Sequence, residues 1–570
     1  MTELLNVSDV VAEVCAQHTE AVFGLMGNGN AFFTSNLTRR GIPYVSARHE
    51  AGTVAMADAY YRASGRIAVA TVTYGAGFTN ALTALTEAAK ARTPMVVVVG
   101  EAPTTGPRPW DIDQLTVARG LGVQTLTVAA GNAARVTAQA WATARQERCP
   151  VILSIPYDLS SEPAGPQEPA AATSPVPRVT PDPTVVEHVA GLLNRAKRPL
   201  ILAGNGAVIS GAGAHLVELG DRIGALFATS VMARNCLDTP WDLGIAGGFA
   251  RTAPLQLMRG ADVVIVAGAS LNVFQTRYGS LFADEAEVVQ IDELDTATNP
   301  RVSCFVQSDV AAMAKSLVAA VGPVSDGWRS RHPEVALPSF QEDQPAEEFA
   351  ADGRLNPRAV AQQLDALLPA QRTVVQDGGH FCGWIPMYCQ VPDPQGLMMV
   401  GTAFQSIGLG IPAAAGAAVA RPERLTVLVA GDGGALMALA DLDSAVRTIS
   451  SGVMVVFNDA AYGAEIHQYA ARGLDDTAMQ IPEVDFSAIG QAMGARGVKM
   501  RSLADLQVLK EWLAAGAEGL FVLDVAITQS EVAEYMQESM EPILASLATA
   551  KGTTAELPAV VPFPCVRLLL

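Results

Sequence analysis

The chain has 570 residues, half of them apolar and only 6% aromatic, which is length enough for three or four domains at about 150 residues each. A formal net charge of −19 argues against a nucleic-acid phosphate surface. The seven cysteines are scattered without a CxxC pair, the N-terminus is acidic, and no apolar run approaches a membrane span, so a soluble, cytoplasmic protein with reduced thiols is expected.

In chain order, the first block shows strand-like runs at Ile42-Pro43-Tyr44-Val45, Ala68 to Val72 and Met95 to Val99. Helices are expected over Ala51 to Arg62 and from Asn80 to Arg92. A proline-rich, structure-poor segment from Ser161 to Pro183 follows, then strand-like runs at 199–204, 263–268 and 288–292. A second such segment runs from Val324 to Pro357, with acidic residues among its prolines. The last block has strand-like runs at 373–375, 425–430, 453–457 and 520–523. Apolar strands without polar alternation, separated by helical stretches, predict an α/β protein of doubly wound parallel sheets that bind ligands at the carboxyl ends of their strands. The expected divisions are 1–165, 184–325 and 355–535, with a tail at 536–570 that is helical at first and then apolar and proline-bearing. That tail is read either as a cover for a site or subunit surface, or as a disordered end.

Five motifs carry chemistry. Gly431-Asp432-Gly433-Gly434 is followed by a helix-like stretch, the run Val453 to Phe457, and Asn458-Asp459. A glycine turn before a helix admits phosphate oxygens to backbone N–H groups, and two aspartates at neighbouring strand ends suit a hard divalent cation. Arg48-His49-Glu50 puts a carboxylate at a helix start, where the macrodipole alone would also favour it. Thr73-Tyr74-Gly75-Ala76-Gly77, with Thr79-Asn80, is a strand-to-helix turn whose glycines allow close approach. Gly401 to Ala414 is a glycine-rich run containing Gln405 and Ile407, and Asp377 to Phe381 forms a second glycine turn.

Together these resemble the thiamine diphosphate (ThDP) enzymes of the acetolactate synthase, pyruvate decarboxylase and benzaldehyde lyase superfamily. The resemblance covers about residues 1 to 535 and implies pyrimidine-binding, central Rossmann-like and diphosphate-binding domains. It implies Mg²⁺ ligands at Asp432, Asp459 and the Ala461 carbonyl, with Asp459 departing from the usual Asn. It implies cofactor contacts from Glu50, Tyr74, Gly75, Asn80, Gly379, His380, Gln405, Ile407, Gly431, Gly433, Gly434, Tyr462 and Gly463. Glu50 corresponds to the glutamate that hydrogen-bonds the aminopyrimidine N1′, and Ile407 to the wedge under the bent cofactor. Asn28, Gly29, Gln114, Glu465 and His467 fall at substrate-side positions, with Gln114 and Glu465 as catalytic candidates. A Glu465 carboxylate facing an apolar pocket would have a raised pKa and could relay a proton.

The central block lacks the family's Gly-x-Arg-Phe flavin signature at Gly268-Ala269-Ser270-Leu271-Asn272, so FAD is not expected. The implied activity is decarboxylation of a 2-oxo acid, with the acyl unit passed to a proton or a second carbonyl, in a homodimer or homotetramer. A carbon–carbon cleaving carboligase, a flavin-coupled oxidase and a non-catalytic ThDP-binding protein stand as alternatives.

Overall fold

The computed structural model describes residues 5–169, 178–323, 327–533 and 535–536, so the expected tail beyond 536 lies outside the described residues. Three six-stranded sheets, in which all recorded pairings are parallel, follow one another along the chain. The first contains β1 (Val22–Gly24), β2 (Tyr44–Ser46), β3 (Val69–Val72), β4 (Met95–Glu101), β5 (Gln124–Thr127) and β6 (Pro150–Pro156), in spatial order β2-β1-β3-β4-β6-β5. The second contains β7 (Pro199–Ala203), β8 (Leu226–Thr229), β9 (Asp242–Ile245), β10 (Val263–Ala267), β11 (Glu287–Asp292) and β12 (Cys304–Gln307). Its order, β12-β11-β10-β7-β8-β9, is that of a Rossmann sheet. The third contains β13 (Arg372–Gln376), β14 (Leu397–Met399), β15 (Leu425–Gly431), β16 (Ser451–Asn458), β17 (Arg496–Met500) and β18 (Gly519–Ala526), in the order β14-β13-β15-β16-β18-β17. First and third sheets therefore share one topology, and each directs the carboxyl ends of its strands at a motif-bearing loop.

The central strands are apolar on both faces because helices cover both. The helix Gly410–Ala420 (GIPAAAGAAVA) packs against the helix Glu50–Ser64 so closely that a Cβ on Gly416 would lie 2.0 Å from the Met56 carbonyl oxygen. Small side chains at this contact let the first and third sheets share one continuous core.

Two sequence expectations change. The stretch after Asp432 is not one helix: the helix Asp432–Met437 stops, a 3₁₀ turn spans Leu439–Asp441, and a second helix runs Leu442–Thr448. The break turns the buried Asp441 carboxylate to accept from the Arg48 backbone N–H (2.6 Å) and the Ser444 hydroxyl (2.9 Å). The proline-rich stretch after 323 is not structure-poor either. It makes 3₁₀ turns at Trp328–Arg331, Pro333–Ala336 and Pro338–Gln341. Trp328 and Val335 are buried in the second sheet's core, and Arg329 donates to the Ala225 carbonyl (2.7 Å).

Candidate active site

The first sheet builds one half-site. β2 leads to His49, whose ring nitrogen accepts from Ala51 N–H and so caps the helix that begins at Glu50. The half-buried Glu50 carboxylate points across to the helix Ala76–Lys90, where Asn80 Nδ2 donates to Glu50 Oε2 (3.0 Å). Gly75 precedes that helix in a positive-φ conformation (φ 61°) that a side chain would strain. Its N–H donates to Gln114 Oε1 (2.7 Å), and Gln114 Nε2 donates to the Gly100 carbonyl (3.0 Å). Gln114 is buried, so in this chain it clamps the Gly75 turn to the end of β4. Gly29 N–H donates to the Thr73 hydroxyl (2.9 Å), which sets the turn carrying exposed Asn28 beside the same loop. The Tyr74 ring meets Tyr157 edge-on (5.9 Å), and the Arg108 guanidinium lies over both rings while bridging Asp111.

The third sheet builds the other half-site. β15 and β16 are neighbours, with Gly431 paired to Phe457, so Asp432 and Asp459 leave adjacent strand ends side by side. Both are buried, and Asp432 Oδ2 makes no hydrogen bond. Burial pushes the Asp432 carboxyl up to about 6. Burial, with the Asp432 charge beside it, pushes Asp459 up to about 7. Glycines leave room at this point: a Cβ on Gly433 would sit 2.7 Å from Tyr462, and one on Gly463 would sit 2.6 Å from Asp459 Oδ2. Two close buried carboxylates, one with an orphaned oxygen, call for a cation or a proton, and hard oxygen donors beside glycine turns fit a divalent cation holding a diphosphate. Among the described residues no group of three or more His, Cys, Asp and Glu side chains could hold a metal ion.

Three further loops close on this point. The Asp377 carboxylate, buried and pushed up to about 6, accepts from Gly378 N–H (2.8 Å) and Gly408 N–H (2.9 Å). It thereby ties the Gly379 turn to the segment bearing Gln405, whose φ of 58° is left-handed, and half-buried Ile407. His380 is buried, held down to about 3 by burial and by neighbouring His467, and its Nε2 accepts from Ala533 N–H (3.0 Å). The neutral ring therefore carries its proton on Nδ1, and the His467 ring lies 4.5 Å away. Tyr535 donates to the His380 carbonyl (2.7 Å), and its ring packs against Phe249 and Phe274 of the second sheet's loops.

Comparison with known proteins matches this layout. Models of the thiamine pyrophosphate enzyme match the chain three times: the N-terminal TPP binding domain at residues 5–117, the central domain at 186–317 and the C-terminal TPP binding domain at 377–525. The chain belongs to the thiamine diphosphate-dependent enzymes. It is 28% identical over 568 residues to a sulfoacetaldehyde acetyltransferase of Rhodobacter capsulatus, covering 93% of this chain and 95% of the relative. It is also 28% identical to the putative acetolactate synthase large subunit IlvB2 of Mycobacterium tuberculosis, covering 91% and 97%. Benzoylformate decarboxylase from Polynucleobacter necessarius superposes with a TM-score of 0.78 at 22% identity, covering 92% of this chain and 99% of that one, and so shares the fold.

Of the sequence candidates in this ThDP enzyme, Glu50, Asn80, Tyr74, Gly75, Gln114 and Gly29 gather at the first sheet. Gly379, His380, Gln405, Ile407, Asp432, Asp459, Tyr462, Gly463 and His467 gather at the third. Glu465 differs from expectation: in the single chain its side chain is exposed on the short helix Gly463–Gln468, whereas His467 is buried. Reading by motif missed the bond from Gly408 N–H to Asp377, the anchoring of His380 by Ala533 and Tyr535, and the Glu87 carboxylate that accepts from Phe404 N–H. The Asp377 carboxylate, directly after β13 and before two glycines, carried a readable signal; the other two depend on residues far apart in sequence.

Proposed function

We propose that this chain is a ThDP- and Mg²⁺-dependent enzyme that removes CO₂ from a 2-oxo acid and delivers the acyl unit to a proton or a second carbonyl. The observation that carries the reading is the buried Asp432–Asp459 pair with its orphaned oxygen, at adjacent strand ends beside glycine turns. Asp432, Asp459 and the Ala461 carbonyl would hold Mg²⁺, while Gly379, Gly433 and Gly434 would give the diphosphate access to backbone N–H groups. When bound, ThDP supplies the electron sink for breaking the bond next to the substrate carbonyl. Glu50, oriented by Asn80, holds a proton at its carboxylate towards the aminopyrimidine. Ile407 and the Gln405 carbonyl would line the place of the cofactor's rings. The buried His467 would stand on the substrate side and exchange a proton with the reacting unit.

The two half-sites lie on different sheets, and exposed apolar side chains flank each. Met26, Trp110 and Leu115 are 66%, 62% and 46% exposed beside the Glu50 half, and Phe404 and Met437 are 42% and 60% exposed beside the Ile407 half. Their exposure in the single chain supports a homodimer in which Glu50 of one protomer serves the diphosphate half-site of its partner. In the second sheet, Gly206 N–H bonds the Gly268 carbonyl (2.9 Å), so the turn at Gly268 packs directly on the first crossover. The test is product analysis by mass spectrometry on a panel of 2-oxo acids with Mg²⁺ and ThDP, with and without aldehyde acceptors. CO₂ release dependent on both cofactors is expected; no turnover of any 2-oxo acid would overturn the reading.

A further inference from the structure

The segment 404–408 carries both Gln405, in its left-handed conformation, and Ile407, and it is pinned at each end by a buried carboxylate. At the far end Asp377 takes Gly408 N–H, from within the same sheet's loops. At the near end the acceptor comes from the first sheet: Glu87 Oε2 accepts from Phe404 N–H at 2.7 Å. Glu87 is fully buried on the helix Ala76–Lys90, and its other oxygen accepts from Arg62 Nη2 (3.0 Å). Arg62 in turn bridges both Asp58 oxygens (2.7 and 2.8 Å) and donates from Nη1 to the carbonyl of Met399, where β14 ends (2.9 Å). Thr93 closes the network on Asp58 (2.8 Å).

Both acceptor oxygens of Glu87 are thus in use, and the guanidinium is used at Nε, Nη1 and Nη2. A network satisfied to this degree in a dry interior is rigid, because each bond lost leaves a buried polar group unpaired. It grips the 400–409 loop at its entry (Met399) and at its middle (Phe404). Its ion pair sits near the C-terminal turns of the same two helices whose first turns present Glu50 and Asn80.

We infer that Glu87, supported by Arg62 and Asp58, is a positioning residue: it holds the Gln405–Ile407 segment in the geometry that receives the cofactor, from a domain whose own Glu50 faces the other half-site. Its consequence for the cofactor rests on the function proposed above; the mooring itself does not. Glu87→Gln is the informative change, because a carboxamide has one acceptor oxygen for two donors and must abandon either Arg62 or Phe404. Loss of one charge-assisted bond corresponds to a local opening on the order of ten- to a hundredfold more frequent.

The experiment measures amide hydrogen exchange in the cofactor-free full chain, and then ThDP affinity and C2 proton exchange at saturating ThDP and Mg²⁺. In Glu87→Gln the amides of 404–408 should exchange about ten- to a hundredfold faster while core amides of β15 and β16 keep their protection. ThDP affinity should fall and C2 exchange should slow even at saturation, which a change confined to global stability would not produce. Unchanged loop exchange overturns the mooring. A loosened loop with parental affinity and C2 exchange overturns the positioning role. A parent protein that binds no ThDP would instead overturn the cofactor reading, and the loop amides would still decide the mooring. Should Glu87→Gln fail to fold, Glu87→Asp, which keeps the charge beside Arg62 but withdraws it from Phe404, decides on the same readouts.

Discussion

Replacing Asp459 with asparagine separates the ligand role of this residue from its charge. In the cation-free protein, burial and Asp432 hold Asp459 up at about 7 and burial holds Asp432 up at about 6. A cation needs both groups ionised, so binding releases protons. At pH 6 about one molecule in eleven has an ionised Asp459, against about ten in eleven at pH 8, so this residue alone makes Mg²⁺ binding about tenfold weaker at pH 6. Asp432 adds a further factor of about two at pH 6. Asp459→Asn keeps an oxygen donor with no proton to release. The variant should bind Mg²⁺ more weakly at pH 8 but lose only about twofold on going to pH 6. Calorimetric titration of Mg²⁺ in saturating ThDP, run on both proteins at several pH values, measures this, and the ratio between them cancels the titration of the cofactor. A parent-to-variant affinity ratio that stays constant from pH 6 to 8 would refute the paired-carboxylate reading.

Three other outcomes are expected. Gly463→Ala puts a Cβ 2.6 Å from Asp459 Oδ2, so Mg²⁺-dependent ThDP affinity should drop on the order of tenfold with the fold intact; parental affinity would contradict the geometry. Gln114→Ala strands the Gly75 N–H and should cost about 1–3 kcal/mol in urea denaturation, whereas an unmoved midpoint would show that the turn does not depend on this clamp. His380 is neutral when folded and held far below 6.5, so the unfolded chain binds the extra proton. This part of the stability is present above pH 6.5 and is lost as pH falls towards 3. His380→Gln should flatten that acid limb, and an equally steep acid limb in the variant would argue against His380 as its source.

The site was legible where its chemistry is local in sequence. Asp432, Asp459 and Glu50 each follow a strand and precede a helix, so glycine spacing and apolar runs place them without tertiary knowledge. The central buried strands were equally plain, because β10 (VVIVA) and β15 (LTVLVAG) are uninterrupted apolar runs. The edge strands β5 and β17 were not, because β5 (QTLT) is mostly solvent-facing and β17 (RGVKM) carries two cations, and the interior strand β1 has only three residues. Proline density hid the packing role of the segment containing Trp328, because its 3₁₀ turns start at Pro333 and Pro338. Glu87 was invisible for a different reason. A single acid on a helix of small residues reads as a solvated position until Arg62 and Phe404 are brought to it by the fold.

The central claim is that Glu50 activates a cofactor held at the Asp432–Asp459 pair. It is tested most directly by NMR-monitored exchange of the ThDP C2 proton in Glu50→Gln. The carboxamide keeps the shape of the side chain and an oxygen for Asn80 but cannot hold or release the proton. The account predicts a folded protein that still binds ThDP and Mg²⁺, with C2 exchange slowed by on the order of 10²–10⁴-fold. Exchange as fast as in the parent protein would contradict it.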